Sequence, residues 1–384
     1  MRPKGSSKKS DRKYFLAIGI ILVILAFGIV AYQSRSHSQT LEFNGITEIN
    51  QAVPVGNNVI AFAGTQGNGN LTRGVAGLIF LSNGSYTLFN VSDYFLHGAI
   101  YSISYNGSAY LLGGTRYGVV DNTSVLIPTL VLYDNGRVVN LSRDIPNFYI
   151  PGQILATSWA DGYWLVGGTA LTVLDGRTYQ VPFLLKVKNN LTDLTPYLPS
   201  YFLSPISVGT GIYTLSSNGS YTLVGGSHLF NFTMAIYNGS KFLNITPSLG
   251  SVLTSAPIPG GWIFGGFNYS LNDTEITLTL LGVIQGSHVD EYKLKYQVGV
   301  ITAVSYYTGV YAVALRIPTV NNLTGVVSEE GIILTGRSPS SLVTVYVGEN
   351  ESINSLLFTG NHLIGVGYKA TPEGKEGLLI ILSE

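Results

Sequence analysis

The side chains able to do chemistry are few and scattered. The five histidines, His37, His97, His228, His288 and His362, include no pair at the short spacing that lets two imidazoles share a metal ion. No cysteine occurs in 384 residues, which removes thiolate metal sites, thiol nucleophiles and disulfides together. Adjacent carboxylates stand at Glu329-Glu330 and Asp290-Glu291, but sequence neighbours on a strand point to opposite faces. Asp134, Asp161 and Asp175 each belong to an Asp-Gly or Asp-Asn-Gly turn, whose geometry explains them without catalysis. Gly-Gly pairs recur, yet no helix start and no Lys-Ser/Thr follows them, so they do not form a phosphate cradle. The sequence therefore assigns no catalytic residue, no metal ligand and no cofactor site.

Recognition chemistry is left. Charged residues fall on segments between apolar runs, where sites are usually built on a rigid scaffold. The candidates for a binding surface are Arg73, Arg116, Asp121, Arg177, Asp273, Arg316 and Lys369, with His228 added because it directly follows a Gly-Gly-Ser. Twenty-five tyrosines could stack on sugars or peptides, although strand packing accounts for most of them. Asn-X-Ser/Thr sequons occur at Asn70, Asn83, Asn90, Asn106, Asn122, Asn140, Asn190, Asn218, Asn231, Asn238, Asn244, Asn268, Asn272, Asn322 and Asn350. Four of them are Asn-Gly-Ser, a good turn in its own right; the remaining eleven argue for an exported, glycosylated chain.

The elements that must position these residues are strands. Short Val, Ile, Leu, Tyr and Thr runs alternate with Gly, Asn and Ser clusters, and no helical periodicity of useful length follows residue 36. One phrase recurs: VIAFAGT at Val59 to Thr65, AYLLGGT at Ala109 to Thr115, YWLVGGT at Tyr163 to Thr169, YTLVGGS at Tyr221 to Ser227 and GWIFGGF at Gly261 to Phe267. Weaker copies follow, VYAVALR at Val310 to Arg316 and HLIGVGY at His362 to Tyr368. The equivalent positions Gly64, Gly114, Gly168, Gly226, Gly266, Leu315 and Gly367 are 40 to 58 residues apart. A period near ~50 with four short strands per unit predicts a propeller blade, and seven copies predict an all-β, seven-bladed β-propeller. Segments such as Thr115 to Ile127 and Thr169 to Val181 read as long loops on one face, with His228 near the mouth of the central channel.

The glycine phrase followed by a hairpin such as LVLYDNGRVVNLS resembles a kelch repeat, in which Gly-Gly closes the second strand and Tyr-Asp the third. The resemblance covers most of residues 41 to 384 and implies a propeller. The copper-radical oxidases of the kelch-like class need a Tyr-Cys crosslink, which a chain without cysteine cannot make. The last unit ends at LLIILSE with no room for an outer strand, whereas QTLEFNGI at Gln39 to Ile46 matches the outer-strand endings of other units. The N-terminal strand is therefore expected to complete blade seven and close the ring.

One helix is expected before the propeller. Tyr14 to Tyr32 is an uncharged apolar run, close to the ~20 residues needed to cross a bilayer. Arg2, Lys4, Lys8, Lys9, Arg12 and Lys13 precede it against Asp11, and Arg35 alone follows, which keeps the N-terminus cytoplasmic. The domain plan is thus a basic cytoplasmic tail (1–13), a transmembrane helix (14–32), a tether (33–38) and an extracytoplasmic propeller (39–384). The expected location is the cell membrane, single pass. Sequon density without cysteine resembles surface proteins of archaea. Residues 37 to 384 hold 14 basic against 20 acidic side chains, a net −6, so bulk charge does not fit nucleic acid. The sequence thus supports a binding or scaffold module for protein or glycan partners. The alternatives are an exported carbohydrate- or peptide-processing hydrolase or lyase, and an accessory subunit of a membrane complex.

Overall fold

Among the described residues, twenty-eight strands pair into seven four-stranded antiparallel sheets. The computed structural model describes residues 38–43, 45–203, 210–228, 231–269, 277–320 and 327–383. The expected span Tyr14 to Tyr32, the basic tail and the tether up to residue 37 lie outside the described residues, as do Asp273, Asn272 and Asn322. Among the described residues no helix is long and apolar enough to cross a membrane.

Each sheet is one blade of a seven-bladed β-propeller. The inner strands are Ile46–Gly56, Ala99–Tyr105, Gly152–Ala160, Gly211–Asn218, Ser251–Ile258, Val300–Tyr307 and Glu351–Thr359 for blades 1 to 7. Blades 1 to 6 are built from consecutive strands; in blade 7 the outer strand comes from the other end of the chain. Ser38–Phe43 pairs antiparallel with Gly374–Ser383, from Ser38 opposite Leu382 to Phe43 opposite Gly377. The closing strand is shorter than the Gln39 to Ile46 expected, because the turn at Gly45 (φ 90°) releases Ile46 into the inner strand of blade 1.

The core is divided as a ring demands. Seven buried apolar clusters lie one at each junction between neighbouring blades. At the closing junction, Phe43, Ile46, Ile49 and Phe62 meet Leu357, Ile364, Val366 and Leu379, so the two ends of the domain share one core. Burying such side chains stabilises by roughly 1.5–3 kcal/mol each.

The glycine phrase has a specific cause. Every inner strand carries a register shift at its equivalent position, for example Ile100/Ser102, Ile212/Thr214 and Ile353/Ser355. Such a bulge bends the strand and turns one extra residue toward the axis. Where glycine holds the second position of the phrase, a carbonyl of the inner strand lies against it: a Cβ at Gly114 would lie 2.1 Å from the Ala99 oxygen, and one at Gly367 1.8 Å from that of Ser352. The first glycine serves the next blade, since a Cβ at Gly113 would meet Ile154 Cγ2 at 2.5 Å and one at Gly265 would meet Ile301 Cγ2 at 2.4 Å. Blade 6 keeps the bulge at Ile301/Ala303 with Ala314-Leu315 in place of glycines, and Leu315 joins the core between blades 5 and 6.

The segments read as long loops in blades 2 and 3 are strands. Ala109–Val120 pairs with Thr123–Asp134 over its whole length, and Tyr163–Leu174 pairs with Arg177–Val187 from Trp164 onward. Positive φ at Asp121 and Asn122 (48° and 61°), and at Asp175 and Gly176 (52° and 73°), fits two-residue hairpin turns whose twist matches the strands. The Val- and Thr-rich flanks then continue the sheets outward as two projecting hairpins.

Candidate functional site

Two features of the described residues, the axis and the projecting hairpins, offer geometry that could serve a ligand. The seven residues extruded by the inner-strand bulges are Asn50, Tyr101, Leu155, Tyr213, Leu253, Thr302 and Asn354. All seven line an axial cavity of about 340 Å³. Its lining contains no charged side chain.

Much of that polarity is already engaged in holding the ring together. Asn50 Nδ2 donates to the Ile100 oxygen at 2.8 Å, Asn354 Nδ2 to the Ile49 oxygen at 3.1 Å, and Thr302 Oγ1 to the Ile353 oxygen. In each case the bulge residue of one blade bonds the carbonyl before the bulge of the next. One position further along, the Ile103 N–H donates to Gln51 Oε1 (2.8 Å) and the Val304 N–H to Thr254 Oγ1 (3.2 Å), again between neighbours. The three bulge latches join blades 6, 7, 1 and 2, which brackets the seam where the chain closes.

Among the described residues, charge stands beside the cavity rather than in its lining. Glu48 accepts from Asn354 Nδ2 (3.0 Å) and pairs with Lys375 (3.0 Å), whose ammonium lies 3.7 Å from the centre of the Tyr368 ring. Burial, and then the nearby Glu48 charge, hold the Tyr101 hydroxyl above its ordinary pKa. Burial likewise raises Tyr213, opposed by a hydrogen bond with Ser227. The buried acid that a hydrolase would need does exist, but elsewhere. Glu351 is buried at the junction of blades 6 and 7, accepts from the Tyr346 hydroxyl at 2.7 Å, and has its pKa raised by burial. It does not line the axial cavity. Among the described residues no three His, Asp or Glu side chains gather closely enough to hold a metal ion.

The binding residues expected from sequence do not converge. Arg73 opens the third strand of blade 1 and donates to Gln66 Oε1 at 3.2 Å. Arg316 stands 3.8 Å from Glu329, and Lys369 is paired with Glu42 at 2.7 Å, so each cation has a carboxylate beside it within the propeller. His228 ends the second strand of blade 4, half-buried, and is not part of the axial lining. Asp273 lies outside the described residues. Arg116, Asp121 and Arg177 belong to the two projecting hairpins rather than to loops.

Those hairpins carry what charge-based reasoning overlooked. Tyr117 (52% exposed), Val119 (71%), Leu171 (44%) and Val173 (68%) stand in solvent on neighbouring blades. Between the hairpins a cleft of about 350 Å³ is lined by Tyr117, Val125, Leu126, Pro151, Ala170 and Leu171, with the neutral Ser124, Gln153, Thr169 and Gln180. The signal in the sequence was the apolar content of YGVVDNTSVLI and ALTVLDGRTYQV on either side of a hairpin turn.

The fold and these two features define a seven-bladed β-propeller with an axial cavity lined by uncharged residues and a crest that exposes apolar side chains beside an uncharged cleft. The sequence matches no protein-family model and no curated protein. Among solved structures it is similar to an acylaminoacyl peptidase in complex with Z-Gly-Gly-Phe-chloromethyl ketone, at 9% identity and a TM-score of 0.53, over 88% of this chain and 51% of that one. The Pyrococcus horikoshii acylaminoacyl peptidase gives 10% and 0.51, over 85% and 50%. YCF48 bound to D1 peptide gives 8% and 0.49, over 90% and 97%. The chain spans about half the length of the two peptidases. At these identities the likeness shows the fold alone.

Proposed function

We propose that this chain is a membrane-anchored, extracytoplasmic binding module that engages a protein partner through the crest of blades 2 and 3. The observation that carries the reading is the pair of projecting hairpins with apolar side chains in solvent beside a cleft without charge. Monomeric surfaces rarely expose such side chains side by side, and grouped exposure of this kind marks interaction sites. An uncharged cleft fits a partner segment of apolar, uncharged residues better than a glycan, whose hydroxyls need several polar partners. The axial polar groups, by contrast, are largely committed between blades, which favours binding over catalysis.

Location and origin rest on the sequence. The run Tyr14 to Tyr32 and the basic residues before it support a single-pass anchor with a cytoplasmic N-terminus. Sequon density without cysteine supports an archaeal cell surface, and the glycine phrase supports kinship with kelch propellers. Ser38 pairs with Leu382 at the edge where the tight hairpin turns lie, so an anchor joined there would hold the turn face toward the membrane and the crest away from it.

The test is a paired affinity purification of detergent-solubilised full-length protein, wild type against a Tyr117→Ser, Leu171→Ser, Val173→Ser variant. Removing three interface side chains worth roughly 1 kcal/mol or more apiece should lower recovery of a specific envelope protein by about 100-fold. The denaturation midpoint should stay unchanged, since all three side chains already face solvent. Equal recovery by both proteins refutes the crest as the binding surface.

A further inference from the structure

The sequons are not equivalent amides once folded. At Asn83, Asn106 and Asn238, each in Asn-Gly-Ser, Oδ1 accepts both the N–H and the hydroxyl of the serine two residues on. The distances are 3.0 and 2.8 Å from Ser85, 2.9 and 3.1 Å from Ser108, and 3.1 and 3.0 Å from Ser240. The three serines are exposed. Because Oδ1 is the atom engaged, the amide nitrogen is held away from the turn, and it has no partner among the described residues.

The same tripeptide at Asn218 is turned round. Its Nδ2 donates to the Ile258 oxygen at 3.0 Å and the Gly261 oxygen at 3.3 Å, tying blade 4 to the hairpin of blade 5. At Asn350 the asparagine is exposed, but its sequon serine, Ser352, is fully buried and donates to Asn354 Oδ1 at 3.1 Å. Attaching a sugar requires a free Nδ2 and a sequon that an enzyme can reach, so neither site meets the requirement.

We infer that the folded protein carries N-linked glycans at Asn83, Asn106 and Asn238, and refuses them at Asn218 and Asn350. In the transfer, Nδ2 forms a bond to the anomeric carbon of a polyprenyl-phosphate-linked glycan and loses one proton. The bond from that carbon to the phosphate oxygen breaks, and its electron pair leaves with the lipid phosphate. The three acceptors lie in turns of blades 1, 2 and 4, on the face opposite the crest. Glycans there cover the face that an anchor at Ser38 turns toward the membrane, and they do not occlude the crest. The inference rests on the extracytoplasmic reading.

The experiment is glycopeptide mass spectrometry on full-length protein purified from membranes of its native host, beside protease accessibility on intact cells. Glycan masses on the Asn83, Asn106 and Asn238 peptides, with the Asn218 and Asn350 peptides bare, support the inference. Protein that is cleaved from outside yet bare at those three, or glycosylated at Asn218 or Asn350, overturns the inference alone. Protein protected from protease and bare throughout overturns the extracytoplasmic reading and this inference with it.

Discussion

Gly367→Ala and Gly365→Ala, two positions apart on the second strand of blade 7 (His362–Thr371), should differ sharply in stability. Neither glycine has a positive φ, so alanine is conformationally admissible at both, and each substitution gains about 0.4–1 kcal/mol by restricting the unfolded chain. What separates them is the neighbour. A Cβ at Gly367 would sit 1.8 Å from the Ser352 oxygen, 2.8 Å from its carbonyl carbon and 3.1 Å from Ile353 Cα, all backbone. The inner strand, whose bulge at Ile353/Ser355 sets Asn354 on the axis, would have to retreat by about 1.5 Å to restore contact distance, against a packed blade. A Cβ at Gly365 meets only side-chain methyls, Ile333 Cδ1 at 3.3 Å and Ile353 Cγ2 at 3.4 Å, which can rotate. Overpacking of the first kind costs about 1–3 kcal/mol or more, and forced backbone movement belongs at the upper end. Gly367→Ala should therefore lose about 2–3 kcal/mol net, with Gly365→Ala within about 1 kcal/mol of wild type. Urea unfolding followed by tryptophan fluorescence reads both. A Gly367→Ala protein as stable as Gly365→Ala would show that the close approach of the Ser352 carbonyl does not require glycine at this position.

Phe43→Asp, which places a charge in the core shared by blades 7 and 1, should cost several kcal/mol and give aggregation on gentle heating, read by light scattering; an unchanged melting temperature would mean the closing strand is not structural. Asn218→Ala should lose about 1–2 kcal/mol, since two carbonyls of blade 5 lose their donor, whereas Asn238→Ala in its exposed turn should lose less; equal losses would contradict the latch. Burial raises the Glu351 pKa above its ordinary value, so the folded state holds that proton more tightly than the unfolded chain. The stabilisation from its protonated form is complete below the unfolded pKa and is lost as pH rises through the folded one. Relative to Glu351→Gln, wild type should therefore weaken from acid toward neutral pH in melting curves; parallel curves would show that Glu351 is not strained by burial.

The repeat itself was legible in the sequence. Seven copies of one phrase specified the blade count, and the likeness of Gln39 to Ile46 to the outer-strand endings of other units pointed to the closing strand, because strand alternation and turn chemistry are local. The turns at Asp134, Asp161 and Asp175 were equally readable, and Asn135, Asp161 and Asp175 all adopt positive φ. Sites were less legible. Ring closure brought Glu42 beside Lys369 across 327 residues, while Arg73 and Arg316 found Gln66 and Glu329 on the facing strand of their own hairpins, a pairing that depends on register. Thr115 to Ile127 looked like loop because a hairpin projecting past its blade has no buried face to impose alternation.

What residue order alone determined is therefore everything set within a few positions: strands, turns, the unit and its number. Tertiary structure decided which polar groups remain available. Asn218 and Asn238 share the same tripeptide, yet one amide is committed to the neighbouring blade and the other is not, because only the packing of blade against blade determines which carbonyls come within reach.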